Sequence, residues 1–127
     1  MSPLAGIGTD LARISRFEKF LDRKMAVIER IFTAGEIEYA LAKKYPAPHL
    51  AARFAAKEAF LKALGLGLRD GISWHDMTVE LNPLGKPSLR LSGRAREIFD
   101  GQDCSGLHLS YSHEGDYAVA TVVLETE

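Results

Sequence analysis

From Ala12 to about Ile31 the apolar positions Ile14, Phe17, Phe20, Leu21, Met25 and Ile28 recur at helical spacing and predict one long amphipathic helix. Ahead of it, residues 4–9 (Leu-Ala-Gly-Ile-Gly-Thr) read as a short strand ended by Asp10, whose glycines permit another backbone to come close. A second helix is expected over Ala34 to Lys44, opened by Thr33 as N-cap. Pro46 and Pro48 interrupt the pattern. A third helix runs from about Pro48 to Leu64 and stops at Gly65 and Gly67.

Met77, Val79 and Leu81 then alternate with polar residues, Asn82-Pro83-Leu84-Gly85 signals a turn, and alternation resumes from Ser88 to Leu91. That pattern is a hairpin. Ser92 can cap a short helix through Phe99. Strands are expected over 107–112 and 117–124, around His113-Glu114-Gly115-Asp116. Tyr117 to Leu124 is almost continuously apolar, which predicts cover on both of its faces. Helices first and antiparallel strands mostly after them favour a layered α+β fold.

Composition narrows the class. The chain has 127 residues, 16 Lys+Arg against 17 Asp+Glu, 46% hydrophobic and 26% charged residues, which is ordinary for one soluble domain over 1–127 and unlike a disordered tail or a fibre. The formal net charge of -1 argues against a surface coated for nucleic acid but leaves local patches open. Cys104 is the single cysteine, so neither an internal disulfide nor a multi-cysteine zinc site is possible, and a reducing, cytoplasmic compartment is the simplest reading. The start shows no signal-peptide pattern, and no stretch approaches the roughly 18 apolar residues of a membrane helix. Cys104 reads as a buried small hydrophobe, and Trp74 and His75 take no role.

Charge placement is more informative. On the first helix Arg16, Lys19 and Arg23 form one stripe and Glu18, Asp22 and Glu29 another. A helix that only needs solubility intersperses its signs at i,i+4, so this segregation suits docking against an acidic partner. On the third helix Arg53 and Lys57 fall inside the arc of Leu50, Phe54, Phe60, Leu61 and Leu64. A partly buried like-charge i,i+4 pair makes sense if an anion sits between the two. Glu58 and Lys62, taken alone, read as a surface ion pair. The alanines of the remaining surface, Ala51, Ala52, Ala55, Ala56, Ala59 and Ala63, let another element or a ligand approach the backbone. Asp10 alone reads as a cap or turn residue; if its strand end lies beside the third helix, Asp10 and Glu58 could share a hard divalent cation. His113 alone reads as a turn histidine, with Ser110 and Ser112 as hydroxyl donors or as residues satisfying strand edges. No Walker loop, dinucleotide fingerprint, HExxH or nucleophile elbow is present.

Four motifs, in order, carry a resemblance. Gly6-Ile7-Gly8-Thr9-Asp10-Leu11 with Ile14 and Arg16, then Phe54-Ala55-Ala56-Lys57-Glu58-Ala59-Phe60-Leu61-Lys62-Ala63-Leu64-Gly65, then Asn82 to Pro87, then Ser110-Tyr111-Ser112-His113 with Tyr117-Ala118, resemble the holo-acyl-carrier-protein synthases, a branch of the 4'-phosphopantetheinyl transferases. The resemblance implies an antiparallel sheet packed on a long central helix, a homotrimer with each site between neighbouring subunits, and a role in fatty acid biosynthesis. It implies transfer of 4'-phosphopantetheine from coenzyme A to a serine of apo acyl carrier protein, releasing adenosine 3',5'-bisphosphate. Asp10 and Glu58 would hold Mg2+, with Glu58, directly or through a metal-bound water, as the favoured base and Lys62 adding charge at the transferring phosphoryl group. Arg53, Lys57, Lys86, Ser112 and His113 would meet coenzyme A, and Arg16, Lys19 and Arg23 would dock the carrier.

Two other readings compete. A nucleic-acid module would use the basic helix, but the net charge and sparse aromatic interleaving count against it. A purely structural trimer built on the apolar last strand gives no reason for Asp10, Glu58 and Lys62 to stand at the motif spacing. The transferase reading leads both.

Overall fold

The computed structural model describes residues 3–127. In chain order come β1 (Leu4–Arg13), α1 (Ile14–Arg23), α2 (Met25–Ile31), α3 (Ala34–Leu41), α4 (Pro46–Leu64), two 3-10 turns (Leu68–Asp70 and Trp74–Asp76), β2 (Met77–Leu81), β3 (Pro87–Leu91), α5 (Gly93–Gly101), β4 (Cys104–Glu114) and β5 (Tyr117–Thr126). β5 is the middle strand of an antiparallel sheet ordered β1-β5-β4, and β2 and β3 form a separate hairpin. The architecture is α+β, as expected.

α4 is the central post. Its seven alanines at 47, 51, 52, 55, 56, 59 and 63 are all buried, together with Leu50, Phe60, Leu61 and Leu64. A helix that is buried nearly all round has no polar stripe to declare its orientation. Pro46 starts it in the first turn, two residues before the expected proline, and Gly65 ends it in the left-handed region at φ +75°. β1 lies against α4 because it has glycine where the two backbones meet: a Cβ on Gly8 would stand 1.9 Å from the Ala59 carbonyl oxygen, and one on Gly6 2.1 Å from that of Ala63.

Three expectations need correction, and a fourth, cover on both faces of β5, is met on one face within a single chain. β1 does not end at Asp10 but continues through Arg13, because its pairing with β5 runs unbroken from Gly6↔Leu124 to Arg13↔Tyr117. The long first helix is two helices, broken at Lys24 (φ -141°, ψ 56°). A straight helix over those residues would reach about 27 Å from its start, whereas the break keeps Ile28 and Ile31 in the core with Phe17. Ser92 precedes α5 but its side chain does not cap it; the Asp76 carboxylate accepts from the Ala95 N–H instead. β5 buries only Ala118, Ala120, Val122 and Leu124, while its other face carries the exposed Val119 and Tyr117 beside Ile7 and Leu11 of β1, 67% and 62% exposed. Thr33 does cap α3, in a reciprocal capping box with Glu36, and the β2–β3 hairpin forms as expected.

Candidate active site

Within β1, Asp10 shares the helix-facing side with Gly6, Gly8 and Ala12, and its side chain is only 15% exposed. The close approach that the glycines allow therefore sets Asp10 beside the middle of α4. Lys62 reaches across to it, donating to Asp10 Oδ1 at 3.0 Å and to the Thr9 carbonyl at 3.0 Å. Lys62 thus bonds to Asp10, and the surface pair with Glu58 expected from i,i+4 spacing is not what its ammonium makes. Glu58 is half-buried, and its carboxyl is pushed above the usual carboxylate range, first by burial and then by the charge of Asp10, with Lys62 and Arg16 opposing. Two carboxylates are held close at the cost of repulsion, which a bound cation would relieve. Two carboxylates plus waters and phosphate oxygens is the usual way magnesium is held, so Asp10 and Glu58 fit that ion.

Arg16 stands at this edge of the site. Its guanidinium lies 5.4 Å from the ring centre of Phe54 and 5.8 Å from those of Phe17 and Phe20. Lys19 and Arg23 follow on the exposed side of α1, where Arg23 also bonds the neighbouring Asp22 at 3.3 Å.

A second cluster forms where α3, α4 and β4 meet. The guanidinium of Arg53, 2% exposed, lies 4.4 Å from the centre of the Tyr39 ring, and Nη1 donates to the His49 carbonyl at 3.3 Å. Its Nε is buried with no partner. Burial, then Arg53, Lys43 and His113, push His49 below the usual histidine value, so four basic groups share this corner. Tyr111 is pushed up by burial, against the pull of Arg53. Arg53 also lines a cleft of ≈ 750 Å³ whose walls include Thr33, Gly35, His75 and Arg90. A buried donor without an acceptor next to such a cleft suits an incoming anion.

Lys57 is elsewhere, and this corrects its expected place beside Arg53 at coenzyme A. Its ammonium is fully buried and gives its donors to Glu36 Oε1 (2.7 Å), the Ile31 carbonyl (2.7 Å) and the Trp74 carbonyl (3.4 Å). The anion implied by the like-charge pair is thus a carboxylate of the protein for one of its two members. Burial holds Lys57 below the ordinary lysine value despite Glu36. Glu36 also accepts from the Thr33 N–H and, through Oε2, from the Val79 N–H, so the pair ties α2, α3, α4 and β2 together. Lys57→Met leaves Glu36 buried without its cation and should cost roughly 3–5 kcal/mol, read by urea denaturation. Lys57→Met with Glu36→Gln should recover part of that loss.

The remaining expected residues do not gather within one chain. His113 lies at the end of β4, on the side of Leu109 and Tyr111, while Ser112 points to the opposite sheet face, in a row with Val119 and Leu11. Lys86 sits in the β2–β3 turn, which Asn82 organises by accepting from the Leu84 and Lys86 N–H groups at 2.9 Å each. That turn borders Leu107 to Leu109, at a distance along β4 from His113. Cys104 is buried, and burial raises its thiol pKa. His75 bonds the Glu29 carbonyl at 2.8 Å and so fastens α2. Sequence reasoning missed Glu36, Tyr39 and His49. Only Glu36 had a local signal, the Thr33-x-x-Glu36 capping box. Among the described residues no group of three or more His, Cys, Asp or Glu side chains could hold a metal ion, and no helix is long and apolar enough to cross a membrane.

Residues 6–122 match the family model described as the 4'-phosphopantetheinyl transferase superfamily. The chain is 59% identical over 126 residues to a holo-[acyl-carrier-protein] synthase of Syntrophotalea carbinolica, covering 98% of each. Its structure is similar to that of a holo-(acyl-carrier-protein) synthase from Bacillus anthracis in complex with CoA (3',5'-ADP), with TM-score 0.81, 37% identity and all of both chains covered. It is also similar to the Helicobacter pylori synthase in complex with coenzyme A, with TM-score 0.80 and 34% identity over 93% of this chain and 98% of that one.

Proposed function

The chain belongs to the 4'-phosphopantetheinyl transferase superfamily and is a phosphopantetheinyl transferase, and from that premise we propose that it moves 4'-phosphopantetheine from coenzyme A to a serine hydroxyl of apo acyl carrier protein, in support of fatty acid biosynthesis. The products are holo carrier protein and adenosine 3',5'-bisphosphate. The observation that carries this reading is the docking of β1 on α4 through Gly6 and Gly8, with Asp10, Glu58 and Lys62 together at the contact.

Asp10 and Glu58 would hold magnesium, which would supply positive charge to neutralise the pyrophosphate of coenzyme A. Lys62 brings a cation to the transferring phosphoryl group from a side chain already oriented by Asp10. Glu58 accepts the serine proton as the new P–O bond forms and the old one to the leaving phosphate breaks. Its two oxygens let ligation and proton acceptance use different atoms. Arg53, with its unpartnered Nε, and His113 take phosphate oxygens of coenzyme A.

Ser112 points to the opposite sheet face, and Lys86 lies beside Leu107 to Leu109, so neither joins that corner within one subunit. They take part across an interface, the sites lying between subunits of a homotrimer of single-domain chains. The exposed apolar face of Ile7, Leu11, Tyr117 and Val119 supports that assembly, being larger than isolated surface hydrophobes require. Leu11→Asp should give a monomer by light scattering and lose transfer with it.

Incubation with coenzyme A, magnesium and apo carrier, read by intact mass, tests the reaction. A phosphopantetheine-sized gain on the carrier that disappears with chelator is expected; no gain under any metal condition rejects it. Arg16→Glu and Arg23→Glu should each raise the carrier KM by about tenfold with the coenzyme A KM unchanged, since these charges meet an acidic carrier helix. Equal rises in both constants would make the stripe structural.

A further inference from the structure

α1 starts without a cap of its own, because Arg13 at the N-cap position supplies no side-chain acceptor. Its first amides are held from the far end of the chain. The Ile14 N–H donates to the Asp116 carbonyl at 2.8 Å, the Ser15 N–H to Asp116 Oδ1 at 2.9 Å, and the Ser15 hydroxyl to Asp116 Oδ2 at 2.9 Å. Asp116 sits in the β4–β5 turn after Gly115, whose φ of +60° suits glycine. The same turn holds Arg13, whose Nη2 donates to the Tyr117 hydroxyl at 2.8 Å.

We propose that Asp116 is a positioning residue for carrier docking: it fixes the first turn of α1 and so the seat of Arg16 over Phe54. The inference rests on the carrier-transfer reading given above. Arg16 lies in the turn that Asp116 holds, where N–H groups have no partner within the helix and fray first. A carboxylate there also meets the positive end of the helix dipole. Arg16 depends on that turn for its seat over Phe54, its guanidinium 5.4 Å from the ring centre.

The test is steady-state kinetics of the full-length enzyme with coenzyme A, magnesium and apo carrier. Asp116→Ala should raise the carrier KM by about tenfold, the scale of a lost N-cap, with the coenzyme A KM within about twofold of wild type. Asp116→Asn, which keeps the Oδ1 acceptor for Ser15, should restore most of the loss. Combined with Arg16→Ala, Asp116→Ala should add little more, because both act through the same guanidinium. If Asp116→Ala does not fold, Ser15→Ala carries the test, with a rise of about threefold expected in the carrier KM alone. An unchanged carrier KM, equal rises in both KM values, or full additivity with Arg16→Ala overturns the proposal. Failure of the wild-type enzyme to modify the carrier would instead reject the underlying reading.

Discussion

Glu58→Gln is expected to lower kcat by about three orders of magnitude, the scale of a lost general base, while the protein stays as stable as wild type or becomes more so. The two halves have one cause. The folded state binds a proton at Glu58 more tightly than the unfolded chain does, because burial and Asp10 both disfavour its anion. Stability therefore falls as pH rises from the ordinary carboxylate value through the raised folded value, and the full penalty is present above it. Glutamine removes that penalty together with the chemistry. Urea midpoints across this pH range should decline with rising pH more in wild type than in Glu58→Gln. A variant with normal turnover would sink the assignment of Glu58 as ligand and base. Asp10→Ala should lose as much turnover but also strands Lys62, whose ammonium donates to it.

Gly8→Ala should be the most damaging small substitution in the chain. The added methyl meets the Ala59 carbonyl oxygen at 1.9 Å and the Ala63 nitrogen at 2.8 Å, both backbone atoms of a buried helix that cannot yield as a flexible side chain does. Overpacking of this kind costs about 3 kcal/mol or more. Relief by moving β1 away from α4 displaces Asp10, two residues on, so transfer should fall further than the folded fraction measured by urea titration. Gly35→Ala is the control: a Cβ there meets nothing within 4 Å, and stability should hold or rise. Equal behaviour of the two variants would show that the β1–α4 contact is looser than its geometry.

How far the sequence disclosed this arrangement differs by residue. The alanine-rich face of α4 and the glycines of β1 are complementary local signals, and together they announce a close backbone approach. The burial of Arg53 and Lys57 was legible from their place inside an apolar arc. The partner of Lys57 was not, because Glu36 lies 21 residues earlier on another helix and only the fold brings them together. The break at Lys24 was hidden because the apolar period of α1 continues in phase into α2, with no proline or glycine to mark it. The continuous apolar run of β5 implies cover on both faces, but composition cannot say whether the second cover comes from the same chain or from another copy.

The pairing of β1 with β5 also governs when this protein can become itself. Among the described residues β1 pairs with β5 alone, a strand more than a hundred residues later, where the Thr126 N–H closes on the Pro3 carbonyl at 2.9 Å. The same closure brings the two ends of the described chain side by side, so a short linker could join them and new termini could be opened at the exposed Leu84 turn. In that permuted chain β5 and β1 would be neighbours along the sequence, and a slow long-range closure would become a fast hairpin.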